Sequence, residues 1–258
     1  MNILVCISNV PDTTSKINFV NNDTEFDTNG IQYIINPNDE FGLTRAIWFQ
    51  QKEGAKVTVL SVGESSCEPI LRKCLAIGAD MAIRIDAIPT DGFFVANQIS
   101  EICKKNKYDL IIAGRESIDY NGGMVPGMLA GLLNYNFVTN CIQLEIDQNI
   151  ALASREIDGG KEILSSKLPI IIGAQKGLVE EKDLIIPNMR GIMQARQKSL
   201  NVVSPINIEP KSIVKSFEKP KPKGEVKLVP SDNVDELINL LHNDCLLYTS
   251  PSPRDVRS

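Results

Sequence analysis

Short aliphatic runs recur along the first half of the chain, each bounded by polar or glycine-bearing stretches. Asn2 to Ser8, Lys56 to Val62, Ala79 to Ile85 and Asp109 to Ala113 are too short for globular helices and nearly all apolar, so they read as buried strands. Between them apolar positions fall at helical spacing. One such stretch follows Asp39-Glu40, whose acids suit a helix N-terminus. A second runs from about Cys67 to Ile77, with Gly78 placed to cap it. A third spans Gly92 to Asn106, with Phe94, Val95, Ile99, Ile102 and Cys103 on one face. Ile31 to Ile35 is extended, and Asn36-Pro37 breaks it. Strand and helix alternating with short loops predict a parallel sheet covered on both faces, a doubly wound Rossmann-like α/β domain.

The pattern changes after about residue 135. Cys141 to Ile146, Ile150 to Ile157 and Lys161 to Lys167 predict an antiparallel addition, with Asp158-Gly159 in the tight turn. Leu168 to Gly173 is one more aliphatic strand. From Ser199 the chain turns extended and rich in Pro and Lys, a poor core former. Asn233 to His242 then predicts a short amphipathic helix. The expected organisation is an α/β domain over residues 1–198, an extended C-terminal arm over 199–244, and a tail over 245–258. That tail includes CLLYTSPSPRD, which resembles the conceptual translation of a sequencing adapter and is expected to carry no function.

Composition narrows the chemistry. A net charge of -5, with a basic stretch only around KPKPKGEVK, argues against a nucleic-acid partner. The six cysteines form no C-x-x-C pair and mostly sit in apolar segments, so they read as reduced core residues of a cytoplasmic protein. A single histidine, His242, makes a Ser/His/Asp set or a histidine-rich metal site a poor reading. The first strand starts at the second residue, leaving no room for a signal peptide, and no apolar run is long enough to span a membrane.

The most informative stretch is YDLIIAGRESIDYNGGMVPGMLAGLL, residues 108–133. A buried strand ends at Gly114, and a helix opens near Gly122 or Gly123. Such a junction presents unpaired N–H groups and a positive helix end above the sheet, which suits a phosphate. A tight turn with no ligand fits the same residues equally well. In an open parallel sheet, ligands lie beyond the carboxyl ends of the strands. There Cys6 to Ser8, Val62-Gly63 and the loop after Gly114 would meet. Asp119 and Asn121 read either as caps or as ligand contacts.

Seven segments in order resemble the β subunit of the electron transfer flavoproteins. They are ILVCISNVPD, NPNDE at 36–40, CLAIGAD at 74–80, DLIIAGRESIDYNGG at 109–123, REIDGG at 155–160, Leu168-Pro169, and IPNMRGIMQAR at 186–196. The resemblance implies an adenine nucleotide alpha-hydrolase-like fold and a partner α subunit that holds most of a redox FAD. It implies AMP buried in this chain, replaced by a second FAD in electron-bifurcating relatives. Carried over by position, Cys6, Asn36, Val62, Gly114, Ser117, Asp119, Asn121, Gly122, Gly123, Met124 and Val125 would line the nucleotide. Electrons would pass from flavin-containing dehydrogenases, such as acyl-CoA dehydrogenases, to a downstream acceptor, with no catalysis by this chain alone. The loop AQKGLVEEKDLIIPNMRGIM would recognise the dehydrogenase, with Leu178 as its anchor. Leu178 stands between Gly177 and acidic neighbours, so exposure is expected, packing on the sheet being the alternative. The chain departs from the family at Met124-Val125, where many relatives carry Gln then Thr or Val, and at VEEKDL, where many read NEPRY.

Two other readings share the fold. A stand-alone nucleotide-binding protein of the universal-stress type needs neither REIDGG nor a long arm. An ATP-pyrophosphatase-like enzyme needs a Ser-Gly-Gly-x-Asp-Ser loop after the first strand, which SNVPDTTS does not supply.

Overall fold

The computed structural model of the chain describes residues 1–221, 224 and 226–245, so the adapter-like tail beyond Cys245 lies outside the described residues. It divides into two compact units, Met1–Phe217 and a second from Glu218 onward.

The first unit opens with β1 (Asn2–Cys6), β2 (Asn9–Pro11), β3 (Phe19–Val20), β4 (Glu25–Phe26) and β5 (Tyr33–Ile35). β2 pairs with β5 and β3 with β4, both antiparallel. The β3–β4 turn is made by Asn21, Asn22 and Asp23, all at positive φ, a conformation that Asn and Asp tolerate better than other side chains.

Next come α1 (Pro37–Glu53), β6 (Lys56–Val62), α2 (Glu68–Ile77), β7 (Met81–Ile85), α3 (Gly92–Lys105), β8 (Leu110–Gly114) and α4 (Met124–Leu133). The chain then forms β9 (Asn136–Asp147), β10 (Ile150–Ile157), β11 (Gly160–Lys167), β12 (Ile170–Ala174), α5 (Met189–Ala195) and β13 (Leu200–Val203). In the second unit, α6 (Val234–Asn243) is N-capped by the Asn233 side chain, which accepts from Glu236 N–H.

Nine strands form the main sheet in the order β11-β10-β9-β12-β8-β1-β6-β7-β13. Pairing is parallel from β9 across to β13 and antiparallel only for β9–β10 and β10–β11. The chain runs outward from β1 through β6 to β7, then returns to start β8 on the other side. The gap between β1 and β8 is therefore the switch point of a doubly wound sheet. Buried aliphatic side chains fill both faces. Ile3, Val5, Ile112 and Ile172 face α1 and α2 with Leu43, Ile47 and Leu71, while Leu4, Leu60, Ile111 and Ile171 face α3 and α4 with Ile99 and Leu129.

Two expectations change. Residues 200–203 are not the start of a free arm: they pair with Ala82 to Ile85 as the edge strand of the sheet. The break toward the second unit falls after Phe217. β9 also starts earlier than expected, because its first half runs parallel to β12 before its second half pairs with β10.

Candidate functional site

Beyond the carboxyl ends of β1, β6 and β8 the first unit encloses a cavity of about 550 Å³, within the size range of small-ligand sites. Cys6, Leu60, Val62 and Ala113 reach it from the strands, and Val95 and Ile99 from α3. Ser117, Asp119, Tyr120, Gly122, Met124 and Val125 reach it from the β8–α4 loop and the start of α4. Of the residues expected to line a ligand, Cys6, Val62, Gly114, Ser117, Asp119, Gly122, Met124 and Val125 do line this cavity.

Asn36 corrects the expectation. It is 1 % exposed and holds the loop from behind, outside the cavity lining. Its Nδ2 donates to Glu116 O at 2.9 Å, and its Oδ1 accepts from Ile118 N–H at 3.2 Å. Asn38 Nδ2 donates to the same carbonyl at 3.1 Å. Asn36 thus serves as backbone N-cap of α1 while its side chain works elsewhere, and Pro37 supplies the first helical position.

Asp39, in the first turn of α1, closes the arrangement. One carboxylate oxygen accepts from Ser8 N–H and the other from Gly114 N–H, both at 2.7 Å. A single side chain thus ties the ends of β1 and β8 to α1. Burial pushes this carboxyl up to about 7, against the pull of the Ser8, Asn36 and Gly114 hydrogen bonds. Burial likewise raises the Cys6 thiol well above its ordinary value.

Gly114 is a glycine for this packing. A Cβ there would lie 2.4 Å from Asp39 Oδ1 and 2.8 Å from Asn36 Nδ2. The loop beyond it closes through Ser117 N–H donating to Gly122 O at 3.2 Å. Its left-handed residue is Asn121 (φ 50°), whereas Gly123 has φ -106°. Gly123 is constrained instead by closeness, since a Cβ would sit 3.1 Å from Arg115 O. Neither Asn121 nor Gly123 lines the cavity.

Two helix N-termini lie together at the cavity, with Met124 at the start of α4 packed against Gly92, 3.3 Å from where a Cβ on that glycine would be. They differ in one respect. The start of α3 is occupied by Asp91, whose Oδ1 accepts from Phe94 N–H at 2.7 Å. The start of α4 has no side-chain cap, and its first two residues, Met124 and Val125, line the cavity, which places the positive helix end beside it. Asn9 adds a signal that sequence did not offer. It lines the cavity, and its Oδ1 is buried with no hydrogen-bond donor among the described residues. Apolar walls, an uncapped helix start and an orphaned acceptor suit a ligand with a flat apolar part, an N–H or O–H donor, and an anionic group. Among the described residues no group of three or more His, Cys, Asp or Glu is placed to hold a metal, and no helix is long and apolar enough to cross a membrane.

Leu178 also departs from expectation. It is 5 % exposed and belongs to the main core cluster with Val179. The exposed apolar side chains of this region lie further on, at Ile186, Met189, Ile192 and Met193.

The model of the electron transfer flavoprotein domain matches residues 23–207. The chain is similar to the electron transfer flavoprotein subunit beta of Bacillus subtilis, 32 % identical over 95 % of this chain and 98 % of that one. It is similar to the subunit of the same name from Thermoanaerobacterium thermosaccharolyticum, 35 % identical over 77 % of this chain and 76 % of that one. The human electron transfer flavoprotein subunit beta is 30 % identical over 84 % of this chain and 88 % of its own length.

Proposed function

The chain belongs to the electron transfer flavoprotein family, as a subunit of its beta type, and from that premise we propose that it pairs with an α subunit and buries an adenine nucleotide, AMP in the common form of the pair. The observation that carries this reading is the cavity at the switch point, with its apolar lining and the uncapped start of α4. The base would lie among Cys6, Val62 and Ala113. Asn9 Oδ1 would accept from the base or ribose, and the N–H groups of Met124 and Val125 would hold the phosphate. Asn36 and Asn38 hold that loop from outside the cavity lining, while Asp39, which lines the cavity, ties the ends of β1 and β8 to α1.

The redox FAD, held mainly by the α partner, supplies the chemistry of accepting and giving electrons. This chain would contribute binding, shape and the surface met by the flavin-containing dehydrogenase, in the cytoplasm. We place the docking surface on the 174–193 loop, as the family resemblance implies. The apolar contact moves from Leu178 to Ile186, Met189 and Met193, because exposed apolar side chains are what a transient partner can bury.

A paired test separates the two roles. In the heterodimer, Met189→Glu should slow electron transfer from an acyl-CoA dehydrogenase while leaving assembly and melting temperature unchanged. Leu178→Ala should cost about 2–5 kcal/mol of stability, the usual range for a buried leucine. Slow transfer at unchanged stability in Leu178→Ala, with a silent Met189→Glu, would return the docking contact to Leu178.

A further inference from the structure

Residues 206–217 follow the last strand of the sheet and cross to the cavity. This segment has few apolar anchors: Ile213 and Val214 are exposed. It is held instead at three points. The buried Gln98 side chain on α3 pairs with Ile206 as a strand would, accepting from its N–H and donating to its carbonyl, both at 2.8 Å. Asp91 then takes up two successive backbone N–H groups. Its Oδ2 accepts from Lys211 N–H at 2.6 Å and Ser212 N–H at 2.8 Å, with Ser212 Oγ at 3.3 Å. Finally, Phe217 N–H donates to Asp23 O at 2.7 Å, and its ring stacks on Phe19 with centroids 4.7 Å apart.

The Asp91 hold lies at the cavity, and the Phe217 clamp lies beside a residue that lines it. Ser212 and Val214 line it, as does Asp91. Tyr120, whose ring lies 6.5 Å from that of Phe217, belongs to the loop that would position a phosphate. The outer wall of the site is therefore chain that the strands and helices of the sheet do not supply. Asp91 divides its carboxylate between two tasks: Oδ1 caps α3, and Oδ2 holds the wall.

We propose, on the strength of the nucleotide reading above, that residues 206–217 form a strap across the nucleotide cavity, and that release of the Asp91 latch and the Phe217 clamp sets the rate at which the nucleotide leaves. A strap held by a few polar contacts and one ring stack can open without disturbing the sheet, whereas the Asp39 ties beneath the loop cannot.

The heterodimer, loaded with a fluorescent N-methylanthraniloyl AMP and chased with unlabelled AMP, reports the release rate directly. Asp91→Asn leaves one oxygen where two were used, so it can keep the α3 cap or the strap but not both. Phe217→Ala removes the clamp from a surface position far from the core. Asp91→Asn should release the probe roughly tenfold faster, one lost charge-assisted hydrogen bond being enough for that factor, and Phe217→Ala about threefold to tenfold faster, the range that loss of an aromatic stack allows. Their melting temperatures report that the fold is intact. Release at the wild-type rate in both overturns the strap while leaving the nucleotide site standing. A wild-type heterodimer that takes up no probe and carries no adenine nucleotide overturns the site reading, and the strap with it.

Discussion

At Asp39 one carboxylate joins β1, β8 and α1, and its environment makes the join sensitive to pH. Burial raises its pKa to about 7 in the folded chain, above the ordinary carboxylate value that it regains on unfolding. A raised folded pKa means that the folded state binds the extra proton. The stability this group contributes is complete below the unfolded pKa and is lost as pH rises through about 7. Relative to Asp39→Asn, which carries no titrating proton, the wild-type chain should therefore gain stability as pH falls from 8 toward 5. The slope should be on the order of 1.4 kcal/mol per pH unit across the window. Denaturant melts of both chains across that range check it, and a difference independent of pH would show that Asp39 is ionised throughout. NPNDE was legible as a family segment, with Asn36 expected at the ligand, but what its side chains do was not. Asn36 was legible as important, yet its direction depends on where the 114–118 backbone passes, which no local pattern carries. Leu178 misled for a related reason: glycine and acids beside a leucine describe an exposed turn, but the next residue, Val179, turns inward with it.

Among the elements, the central strands were legible because burial on both faces demands continuous aliphatic runs, as in Leu110 to Ala113 and Ile170 to Ile172. Edge and mixed strands were not. β13 is only four residues long, interrupted by Asn201 and set beside Pro and Lys, and the start of β9 is broken by Thr139 and the left-handed Asn140. The glycine-opened helix α4 was read correctly as an element. The reason for its glycine differs from a positive φ, since Gly123 is crowded by Arg115 O rather than left-handed. Gly123→Val should still weaken nucleotide binding, because the added side chain displaces the N–H groups at the helix start. Nucleotide content of the purified mutant heterodimer, measured after denaturation, should fall clearly below wild type. Full content would place the phosphate elsewhere.

The molecule as a whole is one doubly wound unit to Phe217, followed by a second unit containing α6. Alternation of strands and helices revealed the first, and seven ordered segments revealed its family. The boundary near Phe217 was hidden because the chain after β13 is tied down by Gln98, Asp91 and Asp23 rather than by apolar side chains. The central proposal at this scale is an adenine nucleotide in the cavity, separate from a flavin held by the proposed α partner. The most direct measurement is therefore a stoichiometry: co-express the chain with its α subunit, denature the purified pair, and quantify the released nucleotides by chromatography and mass spectrometry. The expected result is an adenine nucleotide beyond the FAD of the α partner, in equal amount to it. Release of that FAD alone, from a pair active in electron transfer, would contradict the account.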